Sequence, residues 1–142
     1  MKMKGAMFGP YHNTRSATIA MVQRGIGFFQ IACPHLSQQQ GASYNASAKL
    51  LDGDVFVVPA AHPVVIVNYG DENLKVLYFE VNAQGNQRIP LAGMNNVLKQ
   101  LGKEAKQLSF NMSSKQVDDI LDKQKESWFF PGPGQRSERA ST

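Results

Sequence analysis

The side chains best suited to soft coordination chemistry in this 142-residue chain are one cysteine, Cys33, and the histidines His35 and His62. Cys33 and His35 stand two positions apart, so a strand running through both would project them from one face, within reach of a single ion. His62 follows Pro59 at the mouth of the next long hairpin. A Cys, His, His set is a mixed sulfur–nitrogen site that suits copper or zinc and leaves a fourth position for water or another side chain. The same residues also fit a common structural role, with Cys33 as a small buried apolar group and the histidines hydrogen-bonded in loops. No catalytic set stands out beside them. The carboxylates gather on a presumed helix surface, Gly25-Ile26-Gly27 lacks the strand-to-helix setting of a phosphate loop, and no serine sits in a Gly-x-Ser-x-Gly elbow. The chain therefore reads as a non-enzyme. Two sequons, Asn45-Ala46-Ser47 and Asn111-Met112-Ser113, would accept glycan on the secretory route.

The elements that must position these residues fall into two parts. At 42% hydrophobic and 18% charged, the chain is neither disordered nor collagen-like, and its length suits one domain. Residues 17–24, 28–33, 48–51, 54–59, 63–68 and 74–81 read as short strands of β-branched and aromatic residues separated by turn signals, among them Asp52-Gly53. Several runs, such as Val55-Phe56-Val57-Val58 and Val64-Val65-Ile66-Val67, are apolar at every position, which predicts cover on both faces, as in a jelly roll or an oligomer. From Asn95 the spacing turns helical: Val97, Leu98, Leu101, Val117, Ile120 and Leu121 form an apolar stripe, with helices expected over 95–101 and 114–125 and an N-cap at Ser113 or Ser114. The expected organisation is a β-barrel over 1–94, a helical extension over 95–130 and a flexible tail over 131–142. Fifteen Lys and Arg against eleven Asp and Glu give a charge of +4. The signs are mixed along the chain, which argues against a nucleic-acid partner. Neither a membrane span nor a signal peptide is expected, because His12, Asn13, Arg15 and Ser16 interrupt the region where an apolar core of a leader would lie.

Longer strings carry a family resemblance. Gly53-Asp54-Val55-Phe56-Val57-Val58-Pro59-Ala60-Ala61-His62-Pro63, reaching Asn68, resembles the second cupin motif. With Pro10-Tyr11-His12-Asn13-Thr14-Arg15-Ser16-Ala17, Cys33-Pro34-His35-Leu36-Ser37, Pro90-Leu91-Ala92-Gly93-Met94-Asn95-Asn96-Val97 and Phe129-Phe130-Pro131-Gly132-Pro133, the chain resembles the C-terminal cupin domain of a vicilin-type (7S) seed storage globulin from about Gly9 to Pro133. The resemblance implies a mainly β cupin jelly-roll barrel followed by a C-terminal helical extension. It also implies a nutrient reservoir of the seed storage vacuole without catalytic activity, and an allergen. Its implied partners are copies of itself, as a trimer joined through the helical extension, or other chains of the same storage particle. Set against metal-dependent cupins, His12 falls on a ligand position while Thr14, Thr18 and Val64 occupy the other three, which excludes the usual enzyme site. The family instead implies copper held by Cys33, His35 and His62, with Ala61 standing where the family usually has Gly. A copper-binding cupin with a redox or small-ligand role is the alternative, and a defence-type binding protein is a third. The strands that precede the first cupin motif in the family are expected to be missing.

Overall fold

The computed structural model describes residues 5–33 and 45–132, which form two facing antiparallel sheets followed by short helices. His35 lies outside the described residues, as does nearly all of the expected tail, and the strand expected over 48–51 begins earlier, at Asn45. The strands are β1 (Met7–Asn13), β2 (Ala17–Arg24), β3 (Gly27–Ala32), β4 (Asn45–Leu50), β5 (Val55–Val58), β6 (Val64–Asn68), β7 (Lys75–Val81), β8 (Arg88–Pro90) and β9 (Phe129–Phe130). The larger sheet runs β4-β3-β6-β1-β8, with β9 also paired to β1, and the smaller runs β5-β2-β7.

Period-two patterning explains the core. On β2, Thr18, Ala20 and Val22 turn inward to meet Phe56 and Val58 of β5, while Ile31, Leu50, Val64 and Ile66 close the space from the larger sheet. Phe29 of β3 stacks on Phe56 of β5 with ring centroids 4.6 Å apart, a direct clamp between the sheets. Among β1 to β8 only β3 and β4 are both consecutive and paired; every other connection crosses from one sheet to the other. The Asp52-Gly53 turn is one of these crossings. Gly53 N–H donates to Val22 O at 2.8 Å, and Asp52 Oδ1 accepts from Gly25 N–H at 2.7 Å. At the β2–β3 crossing, Gly25 has φ +100, and a Cβ there would lie 2.8 Å from Asn73 O, so only glycine fits.

Four expectations need correction. The first strand is not 17–24: within the expected 1–94 barrel, Met7–Asn13 already forms a strand, lying between β6 and β8 in the larger sheet. Gly9-Pro10 breaks its alternation and makes an irregularity in the β1–β6 register between Phe8 and Tyr11, which hides a strand from a reading by period. The expected helix over 95–101 is only a 3₁₀ turn, Val97–Gln100, capped by the Asn96 side chain; Gly102 then starts α1 (Lys103–Phe110). The second helix, α2 (Ser114–Leu121), is shorter than expected but opens with the anticipated Ser113 cap, completed by Gln116 as a reciprocal capping box. After the helices the chain returns, and Phe129–Phe130 pairs with β1. Cover is also one-sided on β5, where Phe56 and Val58 are buried and Val55 and Val57 are exposed.

Candidate functional site

The irregularity at Gly9-Pro10 decides which residues of the first motif enter the barrel. Tyr11 and Asn13 are buried there, whereas His12 lies on the opposite side of the strand and Thr14 is exposed. The residues lining the barrel beside Thr18 and Val64 are therefore Tyr11 and Asn13, which corrects the assignment of His12 and Thr14. None of the four carries an imidazole or a carboxylate. His12 Nδ1 is buried without a hydrogen-bond partner.

The polar groups at this end are occupied with one another. Asn13 Nδ2 donates to Thr18 Oγ1 at 3.0 Å, Asn86 Nδ2 donates to Asn13 Oδ1 at 3.2 Å, and Asn86 Oδ1 accepts the backbone N–H groups of Arg15 and Ser16, both at 3.0 Å. Ser16 Oγ donates to Val81 O at 2.8 Å. This network ties the β1–β2 corner to the loop before β8 and satisfies groups whose burial would otherwise be costly. Aromatic rings fill the space beside it. Phe8 lies 5.1 Å from Tyr11 and 6.4 Å from both Tyr78 and Trp128, and the Arg88 guanidinium sits 4.8 Å over the Tyr11 ring while pairing with Glu80. Burial, the largest cause, pushes the hydroxyl pKa of Tyr11 and of Tyr78 above the ordinary tyrosine range. What remains open is an apolar cavity of about 150 Å³ lined by Phe8, Ile66, Leu74, Val76, Tyr78 and Phe129. Asn13, Asn86 and Arg88 escaped the sequence reading. Their signal was weak because it required knowing which face of β1 turns inward.

Of the coordination set, Cys33 and His62 lie at the same end of the β3–β6 pair. Ala32 N–H donates to Pro63 O at 2.9 Å, continuing the β3–β6 contact one step past the Ile31–Val64 pair, and Cys33 and His62 are the next residues along the two segments. Cys33 Sγ lies 3.8 Å from Ile31 O. Cys33 is half-buried and packs against the core cluster. His62 Nδ1 lies 2.8 Å from Ala60 O, and because a carbonyl only accepts, Nδ1 carries a proton and donates it there. His35, the third member, lies outside the described residues. Among the described residues, no group of three or more His, Cys, Asp or Glu is placed to hold a metal ion. Asn45 and Asn111, the sequon asparagines, are both exposed.

The family profile described as cupin matches residues 1–118. The chain belongs to the cupin family. Within it the likeness is to vicilins: this cupin is 48% identical over 135 residues to a vicilin of Corylus avellana and 43% identical over 153 residues to one of Juglans regia, in each case over 95% of this chain. It spans about 30% of the length of each of these relatives. The crystal structure of the Corylus avellana vicilin matches with a TM-score of 0.86 at 49% identity, covering 92% of this cupin and 36% of that chain. The vicilin structure from Capsicum annuum matches with a TM-score of 0.84 at 42% identity, over 92% of this cupin and 35% of the other chain. The sequence resemblance to the vicilin-type cupin domain and the expected mainly β barrel are thus both shown.

Proposed function

We propose that this cupin is a nutrient reservoir, a vicilin-like storage domain without catalytic activity. The observation that carries the reading is the combination of vicilin likeness along 95% of the chain with a barrel interior whose Tyr11, Asn13, Thr18 and Val64 are packed or hydrogen-bonded internally. Storage asks for dense, durable folding and later digestion, and such a filled barrel serves that purpose. The compartment is the seed storage vacuole. Quantifying the protein through seed maturation and germination tests this: it should accumulate and then disappear as seedlings grow, and a constant low level would refute the role. The domain acts as a homo-oligomer, a trimer joined through the helical extension. In support, Leu108 and Phe110 of α1 and Ile120 of α2 are exposed, Leu108 at 85%, while Val117 alone of the α2 stripe is fully buried.

A second reading draws support from Cys33 and His62 lying at the same end of the β3–β6 pair: a copper site made by Cys33, His35 and His62. The two described members fit by type, since a cysteine thiol and an imidazole are among the donors copper takes. Copper bound there would supply one-electron chemistry. The protein's part would be to give up the Cys33 proton on binding, so uptake should release protons and weaken in acid. Elemental analysis checks it, with copper expected in the unmutated protein and in His12→Ala but lost from Cys33→Ser. Equal metal in Cys33→Ser would remove Cys33 from the site.

A further inference from the structure

The Asp52-Gly53 pair has a covalent chemistry of its own, and the turn that holds it stands open to solvent. Residues 51–55 are exposed, and a Cβ built on Gly53, at φ +86, would meet nothing within 4 Å. In such a pair the backbone nitrogen that follows the aspartate can attack the side-chain carboxyl, because glycine puts no Cβ in the way. A bond forms between Gly53 N and Asp52 Cγ, the amide proton and the carboxyl hydroxyl leave as water, and a five-membered succinimide results. Water then opens the ring. Breaking the nitrogen's bond to Cγ restores aspartate, whereas breaking its bond to the α-carbonyl leaves the main chain running through Cγ, as an isoaspartate. No co-reactant other than water is needed.

We infer that Asp52-Gly53 is a latent isomerisation site, closed by hydrogen bonds in the folded chain and opened when the turn comes apart. Both reacting groups are held. Gly53 N–H donates to Val22 O at 2.8 Å, which engages the proton that must leave, and Asp52 Oδ1 accepts from Gly25 N–H at 2.7 Å, which directs the carboxyl to the β2–β3 crossing. Asp54 closes the turn itself: its N–H donates to Leu51 O at 3.0 Å, and its Oδ2 accepts from Leu51 N–H at 2.7 Å. Val22 N–H donates in turn to Asp54 O at 2.9 Å. With the turn exposed, these bonds carry the protection, and the reaction must pass through a local opening that breaks them. An isoaspartate adds a carbon to the main chain and brings the carboxylate one carbon closer to it. The carboxylate of a chain that has reacted then falls short of Gly25, and the β4–β5 crossing loses its tie to β2. The lesion thus marks chains that have opened.

Labelling of the whole chain by isoaspartyl methyltransferase, with peptide mapping to locate the label, tests the inference. At neutral pH the folded protein should isomerise at Asp52 roughly tenfold or more slowly than the same chain in urea, the factor expected when two hydrogen bonds must first open. Asp52→Asn runs the same ring closure faster, with ammonia leaving in place of water, and keeps an oxygen to accept from Gly25. Its amide should survive in the folded protein and be lost in urea. Equal rates in the folded and unfolded chains, for either residue, overturn the inference. Asp54→Ala removes the bond to Leu51 N–H and should speed isomerisation while circular dichroism keeps the strand signal, whereas Ser113→Ala, which weakens the start of α2, should not. Equal acceleration by both variants would make global unfolding the gate and overturn the inference, as would a rate untouched by Asp54→Ala. Should Asp54→Ala fail to fold, the comparison of Asp52→Asn in buffer and in urea decides alone.

Discussion

Ala61 shows how one residue can carry a cost that its neighbourhood imposes. Its φ is +61, the left-handed region, and its N–H donates to Asn13 O at 2.8 Å, so the turn before His62 holds it there. A Cβ in that region costs roughly 1–2 kcal/mol, part of which glycine returns through the larger freedom of its unfolded chain. Ala61→Gly should therefore raise stability by about 0.5–1 kcal/mol, read as a shift of the urea midpoint at unchanged slope. The buried tyrosines give a second test. Burial raises the pKa of Tyr11 and Tyr78 above the ordinary 10.0, so the folded protein holds these protons more tightly than the unfolded chain. Their contribution is full below about pH 10 and is lost as pH rises beyond it, because the unfolded chain ionises first. Phenolate absorbance of these two residues should appear together with loss of the strand signal in an alkaline titration. Ionisation of both in the intact fold would contradict their burial.

At the scale of elements, α1 and α2 are too short to persist alone and depend on their ends and on each other. Lys106 is buried along its stem and donates through Nζ to Asp118 Oδ1 at 2.7 Å, linking the two helices, and Val117 is buried beneath them. At the start of α2, Ser113 Oγ accepts from Gln116 N–H, and Gln116 Oε1 accepts from Ser113 N–H at 3.1 Å. Ser113→Ala removes half of this box and should lower stability by about 1 kcal/mol, with hydrogen exchange speeding first in the opening turn of α2. Unchanged exchange there would mean that docking on Val117, not the cap, holds the helix.

At the scale of the molecule, the exposed apolar residues of α1 and α2, Leu108, Phe110 and Ile120, are those through which the proposed trimer would join. Replacing Ile120 and Leu108 together by Asp buries unpaired charge at the proposed threefold contact, at a cost of several kcal/mol by the usual magnitude for such groups. Sedimentation should show the threefold lost while thermal unfolding remains cooperative. Full retention of the assembly would place the helices outside any contact.

Much of this was legible along the chain. The six runs of β-branched residues from 17 to 81 are strands because a period of two and turn residues such as Asp52-Gly53 are properties of neighbours in sequence, and the Ser113 cap is equally local. The pairing of those strands was not legible. Short turns read as hairpins, yet nearly every one crosses between sheets, a choice made by burying Phe29 against Phe56 and Thr18 against Asn13 across the barrel. β1 was missed because Gly9-Pro10 interrupts its period, and with it went the knowledge of whether Tyr11 or His12 faces inward. A one-residue change of phase exchanges the two faces of a strand, so the occupants of the barrel centre follow from register. Cys33 and His62 could be named from their residue types; that the segments ending at them run side by side follows from the β3–β6 ladder, a contact between stretches separated by a loop and two strands.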